Sequence, residues 1–289
     1  MTPRPLRAGD RVTVVSPAGP VPAGLLHAGV AWLTTWGLDV RVAPHALDVH
    51  PDLPHLAGTD ADRAADLSDA WHDPDVAAVL CARGGYGSRR IVDRIDWAAA
   101  ARTPKVFLGS SDITVLHEPL WRAGVPTWFG PMPATAAFVH DPTARDLLRR
   151  ALFGEPAVLR GTTVVGGRAR GIAVGGTVSL LGAPPPDGAI AWLEDVGEEP
   201  YRLDRLLTDL LRGGWFDQVA GIVLGSWTGC RPVEAVDAVL WDRLGGLGVP
   251  VLGSVRFGHC AGQHTVPLGV PMDLDADAGV VTPVSDSGE

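Results

Sequence analysis

With 289 residues, 46% of them hydrophobic and 20% charged, the chain can bury a substantial core as one large domain or two smaller ones. A formal net charge of −9 argues against broad binding to nucleic acid or to an anionic membrane, leaving only a local basic patch open. Three scattered cysteines, Cys81, Cys230 and Cys260, lack CxxC spacing, which favours a reducing compartment and no structural zinc.

Residues 1–10 contain no apolar core of a secretory signal, and no window approaches the roughly 18 apolar residues that span a bilayer. The chain therefore reads as cytoplasmic. Residues 11–16 form an apolar strand that ends in a Pro-Ala-Gly-Pro turn. Residues 22–36 have helical spacing and stop at Gly37, and 38–43 read as a second strand. A Thr59-Asp60 cap opens a helix over 59–72, and 76–82 is an apolar run suited to burial on both faces. A helix is expected over 88–99, a short strand over 106–108, a helix over 112–123 and a strand over 126–129. Strands alternating with helices predict a parallel sheet with ligands at the carboxyl ends of its strands. The turns at Gly84 and Ser111 both fall at such ends.

The pattern changes near 150–165. Residues 158–165 and 168–174 read as a hairpin joined by Gly166-Gly167, and 175–181 is a glycine-led apolar stretch. A strand at 189–193 precedes an amphipathic helix at 201–212 that ends at Gly213-Gly214. Further short strands are expected at 221–224, 251–255 and 266–268. Three consecutive prolines make 183–188 a loop, and 285–289 read as a frayed end. The second half is thus a mixed, β-rich domain.

Ser111 stands where a strand turns sharply into a helix, the setting in which a hydrolase exposes a nucleophilic hydroxyl. The run Gly109-Ser110-Ser111-Asp112 is not a G-x-S-x-G elbow, and small residues there also serve simply as a turn or cap. The Gly84–Gly87 turn lacks both nucleotide-loop spacings, so it serves either as a plain turn or as backbone close to substrate. Backbone N–H groups of Asp112 and of one residue in Gly84-Gly85 are candidates for an oxyanion hole. His259, after the 251–255 strand, is the preferred base among nine histidines, with His264 the near competitor. His45, His50, His55 and His72 lack metal-like spacing, and His117, one turn into the helix after Ser111, reads as a packing or capping residue. Glu194 follows a buried strand and is the preferred partner for an imidazole, with Asp195, Glu198 and Glu199 competing.

Taken in order, these segments resemble one family. The run His55-Leu-Ala-Gly-Thr-Asp60, the run Cys81-Ala-Arg-Gly-Gly-Tyr-Gly-Ser88 and Gly109-x-Ser111-Asp112 are followed by Gly130-Pro131-Met132 and Gly175-Gly176. Leu193-Glu194-Asp195-Val196-Gly197-Glu198, Arg202-x-Asp204-Arg205, Gly258-His259 and Pro267-Leu268-Gly269 complete the set. The chain resembles the LD-carboxypeptidase family of serine peptidases, which includes muramoyltetrapeptide carboxypeptidases and microcin-C immunity peptidases.

The resemblance implies an α/β fold: a flavodoxin-like N-terminal domain with a parallel sheet, carrying the nucleophile over 1–150. A β-rich swivelling C-terminal domain over 165–289 would carry the acid and base. It implies Ser111 as nucleophile, His259 as general base, Glu194 as its partner, and Gly85 and Asp112 as oxyanion donors. Arg83, Gly84 and Tyr86 are expected against substrate, with Arg83 and Arg89 positioned to meet its terminal carboxylate. No cofactor or metal is called for. The expected substrate is a small peptide or muropeptide, with no nucleic-acid or membrane partner, and the expected assembly is a homodimer. The expected reaction releases terminal D-alanine from cytoplasmic murein tetrapeptide during peptidoglycan recycling. The alternatives are a microcin-immunity-type peptidase acting on peptidyl or aminoacyl nucleotides, and a non-catalytic module binding a small ligand. Two departures stand out: Gly175-Gly176-Thr177-Val178 replaces the usual Gly-Gly-Asn-Leu, losing an amide, and the stretch between Ser111 and Glu194 is short.

Overall fold

The structure is a computed structural model that describes residues 3–155 and 157–284. The frayed end expected at 285–289 lies outside the described residues. The chain divides into two compact units: residues up to 155 joined by Ala261–Val266, and residues 157–260 joined by 267–284.

In the first unit the elements run β1 (Arg11–Val15), α1 (Ala23–Thr35), β2 (Asp39–Val42), α2 (Asp60–His72), β3 (Val76–Cys81), α3 (Trp97–Arg102), β4 (Val106–Gly109), α4 (Thr114–Arg122), β5 (Thr127–Phe129), α5 (Ala136–Val139) and α6 (Pro142–Leu152). All pairs among β1–β5 are parallel, in the flavodoxin-like order β2-β1-β3-β4-β5. The apolar runs predicted this, because alternate residues of each strand feed cores on opposite faces. Val12, Val14, Ala78, Leu80, Val106 and Leu108 pack on one side with Leu26 and Leu33 of α1. Val15, Val79, Cys81 and Phe107 pack on the other with Leu67 and Trp71 of α2 and Leu116 of α4.

The single helix expected over 88–99 is not formed. Two 3-10 turns, Ser88–Arg90 and Val92–Arg94, come first; Ile95 is extended, and α3 then starts afresh with Asp96 accepting from Ala99 N at 2.8 Å. Ser88, at the start of the first 3-10 turn, donates both its N–H and its hydroxyl to Asp112. The α6 helix, not anticipated, has a clear local cause: Asp141 caps Thr143 N and Ala144 N at 3.0 Å, with Pro142 in the first turn.

The second unit contains β6 (Leu159–Arg160), β7 (Thr162–Val165), β8 (Arg168–Thr177), β9 (Ile190–Val196), α7 (Pro200–Arg212), β10 (Gly221–Thr228), α8 (Val233–Leu244) and β11 (Val251–Gly253). After β12 (Val266–Leu268), which joins the first sheet beside β5, come β13 (Pro271–Asp275) and β14 (Val280–Pro283). Its eight-stranded sheet runs β6-β14-β13-β8-β9-β10-β11-β7, with β8 to β11 parallel and the flanking pairs antiparallel.

The hairpin expected from Gly166-Gly167 does not exist. Strand β7 pairs with β11, while both edges of β8 are occupied by β13 and β9. The glycine turn is instead held by a distant segment: Gly167 N donates to Asp277 Oδ1 and Ala276 N donates to Gly167 O, each at 2.9 Å. Strand β9 also outruns its predicted end at 193, so Glu194 and Asp195 lie inside a buried strand. Helix α7 buries Leu203 and Leu207 against a core shared with Leu193, Ile222 and Leu240, and the prolines at 184–186 lie in a loop as expected.

Candidate active site

Strand β4 delivers Ser111. Ser110 is extended at φ −157°, Ser111 turns to φ 58°, and a 3-10 turn Ser111–Ile113 leads into α4. A left-handed conformation costs a non-glycine residue about 1–2 kcal/mol, so surrounding contacts must impose it. They come from the turn after the neighbouring strand β3. A Cβ on Gly84 would stand 2.8 Å from Ser111 Cβ and 3.1 Å from both Ser111 Oγ and Asp112 N, so only glycine admits this approach. Asp112 ties the two turns together: its buried carboxylate accepts from Ser88 N at 2.8 Å, and its carbonyl accepts from Ser88 Oγ at 2.5 Å. Burial pushes the Asp112 carboxyl above the usual range, against the pull of the Ser88 hydrogen bonds.

A buried arginine braces the same loop. Arg63 Nη1 donates to Pro17 O at 2.6 Å and Gly87 O at 2.9 Å, while its other end meets Asp60, which also pairs with Arg90. Arg83 Nη1 donates to Pro20 O at 2.9 Å, Tyr86 is exposed near the His55 ring, and Arg89 is exposed on the 3-10 turn. His117 is packing, as anticipated. Its Nε2 faces Gly109 O at 3.3 Å and must donate, so Nδ1 accepts from Thr127 Oγ1 at 2.8 Å. Full burial lowers its pKa to about 4 and keeps it neutral.

The second unit holds the acid and the imidazole. Glu194 is 0% exposed, yet both carboxylate oxygens are satisfied. Oε2 accepts from His259 Nδ1 at 2.7 Å and from His259 N at 3.2 Å, and Oε1 accepts from Thr177 Oγ1 at 2.5 Å. Because Nδ1 donates, the neutral imidazole carries its lone pair on Nε2. Burial disfavours imidazolium, but the Glu194 hydrogen bond and the Glu194 and Asp195 charges outweigh it and hold His259 above its ordinary pKa. The contact requires Gly258: at φ 96°, with a Cβ that would fall 2.3 Å from Glu194 Oε2, no other residue fits.

The competing acids are engaged elsewhere. Asp195, on the other face of β9, accepts from Ser179 N at 2.9 Å and Val196 N at 2.8 Å, and burial pushes it up to about 6. Glu198 pairs with Arg202 at 3.0 Å, and Glu199 precedes α7. His264 falls in the 261–266 segment of the first unit. Among the described residues no cluster of three metal-ligating side chains occurs, and no helix is long and apolar enough to cross a membrane.

Three contributors escaped the sequence reading. The Thr177 hydroxyl was noted only as a missing amide. Ser88 was read as a helix start, whereas its polar groups lock Asp112. In β10, where the register shifts after Leu224, Ser226 N donates to Phe257 O at 2.8 Å and so seats the loop between β11 and His259. The irregular Gly225-Ser226 pair inside an apolar strand was the available signal.

The LD-carboxypeptidase N-terminal domain matches residues 12–130, and the LD-carboxypeptidase C-terminal domain matches residues 161–274. A Streptomyces coelicolor protein, provisionally named a carboxypeptidase, is 53% identical over 97% of this chain and 95% of its own length. The murein tetrapeptide carboxypeptidase of Pseudomonas aeruginosa is 31% identical over 92% of this chain and 94% of its own. An MccF-like protein from Bacillus anthracis shares the fold, with a TM-score of 0.87 over 99% of both chains at 23% identity. With both family domains matched in order and relatives aligned along nearly its whole length, this chain belongs to the LD-carboxypeptidase family of serine-peptidase hydrolases.

Proposed function

We propose that this protein is a serine LD-carboxypeptidase that removes terminal D-alanine from cytoplasmic murein tetrapeptide, working as a homodimer in peptidoglycan recycling. The observation that carries the reading is the buried Glu194 carboxylate holding His259 Nδ1–H, which leaves Nε2 as a base. Ser111 Oγ attacks the carbonyl of the L-centred residue while Nε2 accepts its proton. The oxyanion is met by the N–H groups of Gly85 and Asp112, each such donor contributing about 3–4 kcal/mol to the barrier reduction. As the C–N bond breaks, the imidazolium returns its proton to the D-alanine amine. Water, deprotonated by His259, then cleaves the acyl ester and frees Ser111. Arg83, whose Nη1 donates to Pro20 O, would meet the substrate's terminal carboxylate in this reading.

Purified protein should release D-alanine from murein tetrapeptide, leave an all-L analogue intact and act poorly on an aminoacyl sulfamoyl adenosine. Preference for the nucleoside conjugate would move the substrate to the microcin-immunity class. A fluorophosphonate that fails to label Ser111 in active protein would remove the serine mechanism itself.

A further inference from the structure

We infer that Thr177 is a positioning residue whose hydroxyl clamps the Glu194 carboxylate in the orientation His259 requires; this rests on the proposed Ser111–His259–Glu194 chemistry. Thr177 and Glu194 are register partners on the adjacent parallel strands β8 and β9. Thr177 is 3% exposed, and its hydroxyl reaches Oε1, the oxygen His259 does not use. A buried carboxylate held on one oxygen alone can rotate about its last torsion, which is broad and roughly two-fold. A donor on the other oxygen removes that freedom and satisfies a lone pair that water cannot reach.

The backbone around Thr177 is itself fixed from both sides. Gly175 and Gly176 take φ values of 131° and 139°, and a Cβ on Gly175 would lie 2.0 Å from Trp192 O, so the glycine pair brings β8 hard against β9. Past Thr177, Asp195 on the opposite face of β9 holds Ser179 N at 2.9 Å. Consecutive carboxylates of β9 therefore hold the last residue of β8 and the 3-10 turn, Val178–Leu180, that follows it.

The test separates hydroxyl from shape. Thr177→Val keeps the volume and removes the donor, and Thr177→Ser keeps the donor and removes the methyl. Thr177→Val should lower kcat about ten- to a hundredfold with KM within about twofold, as expected for a lost hydrogen bond to a charged group. It should also weaken or broaden the downfield Nδ1–H proton resonance of His259, read in the resting protein without substrate. Thr177→Ser should restore both. Wild-type kcat and resonance in a folded Thr177→Val protein would overturn the inference, as would loss in both variants, which would mark packing, or a change confined to KM, which would mark substrate contact. Glu194→Gln assayed in parallel isolates the parent reading: if it stays fully active the triad falls, whereas an inactive Glu194→Gln beside an unaffected Thr177→Val removes only the clamp.

Discussion

Around Ser111 the shaping is done by backbone: a left-handed serine, a glycine pressed against it, and a carboxylate spent on holding one loop to the next. Around Glu194 it is done by a charge withdrawn from water and met by a hydroxyl, an imidazole N–H and an amide. The two constructions fail differently. Backbone shaping stores strain and tolerates changes in side chains that only line it. A buried charge tolerates no lost donor, because an unsatisfied oxygen there costs about 1–3 kcal/mol or more.

The comparison breaks most sharply at the reacting groups. Ser111→Ala should lower kcat by about 10⁴-fold or more while the protein stays folded, and His259→Ala should fall to a similar level, with His264→Ala keeping most activity. Steady-state kinetics on murein tetrapeptide with circular dichroism of each variant checks this. A fully active His264→Ala beside an inactive His259→Ala confirms which histidine is used; the reverse result transfers the role.

Next in size is the acid. Glu194→Gln should cost roughly 10²–10⁴-fold in kcat with KM little changed, and Glu198→Gln should be far milder because that side chain serves Arg202. The pH profile sharpens the point. His259 must be neutral to accept a proton and its pKa is raised, so kcat/KM should fall as pH drops through a value above 6.5. In Glu194→Gln the residual activity should persist to lower pH, since the group holding the proton on His259 has lost its charge.

A third prediction concerns stability, where two buried groups, one in each unit, act in opposite senses as pH changes. His117, lowered from 6.5 to about 4, stays neutral when folded, so stability falls as pH drops through that window, by about 3 kcal/mol in all. Asp195, raised from 3.8 to about 6, binds a proton when folded, so its contribution is full below 3.8 and is lost as pH rises through about 6. The slopes offset, and urea unfolding of the wild type should vary little from these two groups between pH 4 and 6.5. His117→Gln should leave a net decline as pH rises; a curve parallel to wild type would show that His117 is not held neutral.

The smallest effect tests the strain. Ser111→Gly should be more stable than Ser111→Ala by about 1 kcal/mol, because glycine adopts φ 58° freely and alanine does not. Equal melting temperatures would remove strain from the description of the nucleophile turn.

The parallel sheet was legible because both of its faces are buried, which turns each strand into a continuous apolar run such as 76–81. The positions of Ser111 after β4 and of Glu194 on β9 were legible because apolar strands deliver them, and Gly258 marks the turn that brings His259 to Glu194. What stayed hidden depended on distant partners. Gly166-Gly167 carries hairpin chemistry, yet residues 276 and 277 claim the turn and β11 claims β7. Ser88 has a helix-starting residue type, yet it opens only a 3-10 turn, and its tie to Asp112, 24 residues on, cannot be read from local sequence. Thr177 looked like the loss of an amide, because its use depends on which residue faces it across β8 and β9.

The first unit is not finished by its own contiguous sequence. Its edge strand β12 and the Gly262 N–H that donates to Asp141 at 2.6 Å come from a segment made only after residues 157–260. On the ribosome, where domains generally fold in the order they emerge, the outer edge of β5 must wait unpaired while almost all of the second unit is synthesised. An open sheet edge is a template for foreign strands. Until residues 266–268 emerge, the nascent first unit therefore carries at β5 an open sheet edge that the finished protein has paired with β12.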